Sequence, residues 1–317
     1  MIVGGAGFIG SAFANSLLES KRQNTQIVIF DNFSSGTLDH VKNLISNGVE
    51  IINGDLGNPD EIEDALTSAT TVFHFAANPD IAKAVVQPDI DFWSGTFLTN
   101  NLIEAARKKA VAEVLYISGS GVYGENPKES FTEDYGPCFP ISTYGASKLA
   151  CEALLSAYSH MFEMKSRAFR FANVVGPRQT HGVGYDFLRK LELNPNVLEI
   201  LGDGTQTKSY VHVQDIISAI NVVWNDMRTG EDAFDVFNVS NDDSISVTEI
   251  AKMACETLSL EAGATEFKYT GSDRGWKGDV PKVRLDSSKI RKLGWIPKLN
   301  SRESVKNSIL SMYQEKI

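Results

Sequence analysis

The stretch Ile2-Val3-Gly4-Gly5-Ala6-Gly7-Phe8-Ile9-Gly10 decides the fold. A short apolar run leads into glycines at positions 4, 7 and 10, and then into residues of helical character through Glu19. Strand, glycine turn and helix in that order build an anion site. The missing side chains let the backbone turn sharply and approach a pyrophosphate, and the free N–H groups of the helix start face it. A second apolar run ends at Asp31, 21 residues after Gly10. A carboxylate at that distance accepts hydrogen bonds from the ribose hydroxyls of an adenine dinucleotide and repels a 2′-phosphate. The expected cofactor is therefore NAD rather than NADP.

Outward from this motif, β-rich runs at 2–3, 27–30, 50–53, 71–75, 114–118 and 167–171 alternate with helical segments at 9–19, 59–66, 98–109 and 143–162. Ser142 or Thr143, after Pro140, is the expected N-cap of the last. The alternation predicts an α/β fold with a doubly wound parallel sheet. Asp55 and Phe75-Ala76-Ala77 end two of these runs, and strand carboxyl ends are where such a sheet holds its ligand. Regularity stops after Asn173, where Gly176-Pro177, Gly182, Gly184, Asn194-Pro195 and Gly202-Asp203-Gly204 crowd together. The expected division is a dinucleotide-binding domain over 1–173 and a smaller substrate lobe over 174–317, with segments free to return to the first.

A length of 317 residues suits one large domain with a smaller partner. A net charge of -10 disfavours nucleic acid as a partner, so any anion site must be local. No run approaches the ~20 apolar residues of a membrane span. The three cysteines form no C-x-x-C pair, so neither a disulfide framework nor a metal site is expected. Met1 runs directly into the first strand with no signal-peptide pattern, which predicts a cytoplasmic location. That strand is short against a usual length of ~5 residues, which leaves an upstream start open.

Tyr144-Gly145-Ala146-Ser147-Lys148 places a phenol and an ammonium at i and i+4, on one face of a helix. A phenol of reference pKa ~10 is a weak base near neutrality, and a nearby cation is expected to lower that value. Together they form a base for a hydroxyl of the substrate.

Several of these residues, with Val122-Tyr123-Gly124 and Arg170-Phe171-Ala172-Asn173-Val174-Val175-Gly176-Pro177-Arg178, give the chain a family resemblance. It resembles the extended short-chain dehydrogenase/reductases, and within them the UDP-glucose 4-epimerase-like branch. The likeness continues through Gly202–Asp215 and through Arg274-Gly275-Trp276-Lys277-Gly278-Asp279. It implies a Rossmann-type domain, a homodimer formed through the helices at 98–109 and 143–162, and a nucleotide sugar, UDP-hexose, as substrate. NAD would lie against Gly4, Gly7, Phe8, Ile9, Gly10, Asp31, Asn32, Ser35, Gly36, Asp55, Leu56, Phe75, Ala76, Ala77, Ser118, Tyr144 and Lys148. Asn173, Arg178, Lys208, Arg274 and Asp279 would hold the substrate, and a diphosphate in an acidic protein needs such fixed cations.

The implied reaction is C4 epimerisation of the UDP-glucose/UDP-galactose type through a 4-keto sugar, with Tyr144 as base and NAD retained. The chain departs from the pattern at three places. Gly119 stands where relatives carry a catalytic Ser or Thr, Gly95 where they often carry Asn, and Lys208 where they often carry Arg. Ser120, or else Ser118, is expected to supply the missing hydroxyl, with Gly119 in a glycine-only geometry. The dehydratase branch carries Thr-Asp-Glu where this chain has Gly119-Ser120-Gly121, which argues against dehydration. A net dehydrogenase on a nucleotide sugar and a non-catalytic NAD-binding scaffold are the alternatives.

Overall fold

The computed structural model describes residues 1–20, 25–78, 80–126 and 130–315. The chain divides into two compact units. One comprises Met1–Val122, Thr143–Arg170 and Ala219–Phe237; the other comprises Tyr123–Ser142, Phe171–Ser218 and Asn238–Ile317.

The first unit carries β1 (Ile2–Val3), β2 (Val28–Asp31), β3 (Glu50–Asn53), β4 (Thr71–His74), β5 (Glu113–Gly119) and β6 (Lys165–Phe171). A seventh strand, Phe234–Val239, joins the edge beside β6, giving the order Phe234–Val239, β6, β5, β4, β1, β2, β3. The predicted doubly wound sheet is present, and β1–β6 lie within two residues of the runs read from the sequence, while Phe234–Val239 matches none of them. β1 is central although it has two residues, because its ladder runs on past both ends. Phe73 N donates to Met1 O, Phe75 N to Val3 O, and Gly4 N to Phe30 O.

β1 pairs parallel with β2 and with β4, placing Val3 beside both Phe30 and His74. Gly4, Asp31 and Phe75 therefore leave the sheet along one edge. The strand order reverses across β1, and at such a switch point an open sheet leaves a crevice for a ligand.

Helices α1 (Phe8–Glu19), α2 (Leu38–Ser46), α3 (Pro59–Ala65), α4 (Leu98–Lys108) and α5 (Thr143–Met161) cover this sheet's connections. α1 buries Phe13, Ala14 and Leu17, and the Phe13 ring lies 4.5 Å from that of Phe73. Each such fully buried large side chain stabilises the fold by roughly 1.5–3 kcal/mol. A π-helical turn, Phe92–Phe97, precedes α4.

The second unit has its own core, in which Phe187, Leu188, Leu198, Ile200, Ile250 and Ile309 are buried together. Its parallel pair Val197–Ile200 and Glu266–Tyr269 packs with helices Val183–Leu193, Val247–Thr257 and Ser301–Gln314. Ser246/Glu249 and Asn300/Glu303 start the last two helices as reciprocal capping boxes.

Candidate active site

The glycine turn fits a dinucleotide. Gly4 has φ +74°, and a Cβ there would lie 2.5 Å from the Ala76 amide nitrogen, so β1 and the end of β4 can pass only with glycine at 4. Gly7 differs: a Cβ on it would meet only the Gly4 carbonyl, at 3.3 Å. The chain alone hardly requires glycine at 7, whereas a pyrophosphate approaching the backbone does. Gly7 is also the N-cap of α1 and supplies no side-chain cap, and the first turn has no acidic residue. Its N–H groups remain available for an anion.

Asp31 is buried at the end of β2. Its Oδ2 accepts from Ala6 N at 2.8 Å and its Oδ1 from Phe33 N at 2.8 Å. The carboxylate thus fixes the glycine turn and retains lone pairs for ribose hydroxyls. Asp31→Ala is expected to weaken NAD by ~1–3 kcal/mol. Loosening of the turn would affect NAD and NADP alike, so the ratio of the two affinities isolates the ribose contact. An unchanged ratio would reduce Asp31 to a turn residue.

Neighbouring candidates are tied into the same edge. Gly36 lies against Ala6, and Asn32 Nδ2 donates to Asp55 Oδ2 at 2.9 Å. Phe75 places its ring 5.5 Å from Phe13, and Leu56 is buried in the core, so its side chain faces inward. Phe8 and Ile9 are half-buried, Ala76 and Ala77 likewise, and Ser35 is exposed.

At the end of β5, Lys148 Nζ donates to the Ile117 carbonyl at 2.7 Å and lies 5.5 Å from the Tyr144 ring centroid. The i, i+4 spacing does bring the pair together. Burial holds the Lys148 ammonium down at about 8, against the pull of Cys151, Glu152 and Asp91. The expected lowering of the Tyr144 phenol is absent. Burial, then the Asp91 charge, push it well up. The ammonium donates to Ile117 and lies by the ring with no hydrogen bond to the phenolic oxygen, so burial prevails. The Tyr144 hydroxyl makes no hydrogen bond among the described residues.

Sequence reasoning missed Asp91. It is 1% exposed, accepts from Asn78 Nδ2 at 2.9 Å and from Thr143 Oγ1 at 2.7 Å, and its carbonyl accepts from Ser147 Oγ at 2.7 Å. This cluster anchors the start of α5, and with it Tyr144. A hydroxyl at the first residue of α5 was the available signal. It also explains Gly95, where a Cβ would run into Ser147 Oγ.

The two candidate serines separate. Ser118 is buried and donates to Glu152 Oε1 at 2.5 Å, while Glu152 Oε2 accepts from Arg170 Nη2 at 2.6 Å. Glu152→Ala would leave the buried Arg170 charge without this carboxylate, and is expected to cost ~3–5 kcal/mol of unfolding free energy in urea titration. A loss below ~1 kcal/mol would show that the pair is not structural. Ser120 opens the 3₁₀ turn Ser120–Tyr123, is half-buried, and makes no hydrogen bond among the described residues. Gly119 corrects the expectation of a glycine-only geometry. Its φ is not in the left-handed region, and a Cβ on it would meet nothing within 4 Å.

In the second unit, Lys208 Nζ pairs with Asp279 Oδ1 at 2.5 Å, and Asp279 Oδ2 accepts from Gly275 N. Asn173 Nδ2 donates to the carbonyl of Ser209, beside Lys208. Arg274 pairs with Asp273 and Glu125. These four candidates share one short stretch of contacts. Arg178, at φ +61°, turns instead to Glu315, which accepts from its backbone N–H at 3.1 Å.

Residues 1–240 match the NAD dependent epimerase/dehydratase family. The chain belongs to this family. Its similarity to individual members runs end to end. It is 29% identical to a putative UDP-glucose 4-epimerase of Methanocaldococcus jannaschii, over 98% of this chain and 96% of that one. A crystal structure of a UDP-galactose 4-epimerase is 36% identical, covers 99% of this chain and 98% of its own, and has a TM-score of 0.88. The UDP-glucose 4-epimerase of Thermus thermophilus, in complex with NAD, is 28% identical over 98% and 97% of the two chains, with a TM-score of 0.83.

Proposed function

We propose that the protein is an NAD-dependent epimerase that inverts C4 of a UDP-hexose, of the UDP-glucose/UDP-galactose type, through a transient 4-keto sugar. The observation that carries this reading is the Tyr144 hydroxyl, which has no hydrogen-bond partner among the described residues, one helical turn from the buried Lys148 and on the same unit as Ser120. NAD, which the glycine turn at Gly4 and Gly7 and the Asp31 carboxylate would hold, would supply a reversible hydride acceptor for C4. Tyr144 removes and restores the 4-hydroxyl proton, Ser120 hydrogen-bonds the reacting oxygen, and Lys148 holds the base side of the site cationic. Asn173, Lys208, Arg274 and Asp279 hold the uridine diphosphate, and Arg178 takes an outer position. Gly119-Ser120-Gly121 offers no carboxyl group as an acid for removing water from the sugar, which favours epimerisation over dehydration.

Incubation with UDP-glucose and with UDP-galactose, followed by separation of the sugars, tests the proposal. Interconversion of the two without net NADH supports it. Stoichiometric NADH would make the protein a dehydrogenase, and no turnover of either sugar would leave a scaffold.

The assembly we read is a homodimer through α4 and α5, supported by the exposed, mutually packed Phe92, Trp93 and Phe97 that lead into α4. Its mass in solution checks this. The three free thiols suit a reducing, cytoplasmic setting, which cell fractionation would test. Among the described residues no helix is long and apolar enough to cross a membrane.

A further inference from the structure

Arg274 has almost no donor left for a ligand. A guanidinium carries five N–H groups. Nε and Nη2 donate to the Asp273 carboxylate at 3.1 and 3.2 Å, and Nη1 and Nη2 donate to Glu125 at 3.5 and 3.3 Å. Among the described residues, only one of its N–H groups, on Nη1, lacks an acceptor. A phosphate is gripped well through two parallel donors on one edge of the fork, so one carboxylate has to leave first. Asp273 is the adjacent residue and moves with Arg274. Glu125 is 149 residues away in sequence and belongs to a different segment.

The two partners differ in how firmly they are held. Glu125 follows Gly124, which has φ +76° and would drive a Cβ into the Phe139 carbonyl. Just before it, the Tyr123 ring stacks on Phe131 at 4.7 Å, and its hydroxyl donates to Asn238 at 2.8 Å. Glu125 therefore extends from a fixed base. Arg274 stands two residues after Ser272, whose φ of +108° is one that residues with a Cβ rarely adopt. The same loop holds Gly271 at +75° and Gly278 at +96°.

We infer that Glu125 is an internal stand-in for the ligand anion, occupying the phosphate-binding edge of Arg274 until a nucleoside diphosphate displaces it. The inference rests on the proposed assignment of Arg274 to the diphosphate. Glu125 is then a residue that sets nucleotide affinity without touching the reacting sugar. It keeps the fork oriented and subtracts from binding, both through the pair that must break and through repulsion of the arriving phosphates. The pair is about one-third exposed on each side, so the subtraction is modest.

Calorimetric titration of UDP into the purified full-length protein, with NAD content and melting temperature recorded, tests this on the wild type, Glu125→Gln, Arg274→Ala and the double variant. Glu125→Gln is expected to tighten UDP by ~3- to 10-fold, and Arg274→Ala to weaken it by ~10-fold or more. With Arg274 gone, Glu125→Gln should change affinity by less than ~2-fold, since the coupling has been removed. If Arg274→Ala weakens UDP while Glu125→Gln leaves it unchanged or weaker, the inference is overturned and the assignment of Arg274 stands. An equal gain from Glu125→Gln with and without Arg274 also overturns it, because the effect is then general charge. Wild-type affinity in Arg274→Ala removes the assignment itself. Should Glu125→Gln melt early, Glu125→Ala is read by the same criteria.

Discussion

Tyr144→Phe is expected to lower turnover by ~10² to 10⁴ while NAD stays bound. The phenyl ring keeps the volume that packs at the start of α5, and the hydroxyl it loses has no described partner, so no protein group is left unsatisfied. Lys148 donates to the Ile117 carbonyl independently of that hydroxyl and keeps its place. Stability should therefore stay within ~0.5 kcal/mol, which separates a chemical loss from a folding loss. The phenol lies well above its ordinary value through burial and Asp91, so it acts as a base only while positive charge is held beside it. Lys148 carries its proton at neutral pH and loses it as the pH rises through about 8, so turnover should fall across that point. Retention of more than about a tenth of the wild-type rate by Tyr144→Phe would remove Tyr144 from its role. Lys148→Ala should lose turnover and NAD together if, as proposed, one side chain serves both.

The parts of this site legible in the sequence are those made by local geometry. The glycine turn and the Tyr144/Lys148 pair follow from spacings of a few residues, and Asp31 from the length of one strand-turn-helix-strand unit, 21 residues after Gly10. The edge strand Phe234–Val239 was not legible. Asp235 and Asn238 interrupt its apolar pattern, and the partners that satisfy the buried Asn238 side chain include Tyr123 and Phe131, more than a hundred residues away. The π-helical turn Phe92–Phe97 hid for a similar reason: Ser94-Gly95 has the composition of a break, yet the space at Gly95 is taken by Ser147 of α5. Charge was the least legible quantity. Composition says that Lys208 and Arg274 are cations in an acidic chain, but their partners Asp279 and Glu125 are brought in by contacts spanning 71 and 149 positions. The lowered Tyr144 pKa failed as an expectation on the same ground, since a spacing fixes which side chains are neighbours and leaves open what else each one binds.

Ser120→Ala is expected to cost ~10-fold or more in turnover, and Ser118→Ala less, for reasons the structure now makes distinct. In an uninterrupted strand, alternation would send residues 118 and 120 to one face. β5 ends at Gly119 and a 3₁₀ turn begins at Ser120, so the alternation breaks between them. Ser118 is spent on Glu152, inside the buried pair with Arg170, and removing its hydroxyl should register in stability by ~1 kcal/mol rather than in the chemical step. Ser120 alone combines partial exposure with a hydroxyl that no described residue uses. Gly119 has open space where a Cβ would go and an ordinary backbone, so Gly119→Ser should fold normally and present a hydroxyl one residue earlier. Placed in the Ser120→Ala background, Gly119→Ser is therefore expected to recover part of the lost rate. Recovery, with an unchanged melting temperature, would show that the function of the hydroxyl moved by one residue along this strand end. If Ser120→Ala keeps the wild-type rate, the proton transfer needs no serine here, and Tyr144 must carry it without a hydroxyl partner from β5 or the turn that follows.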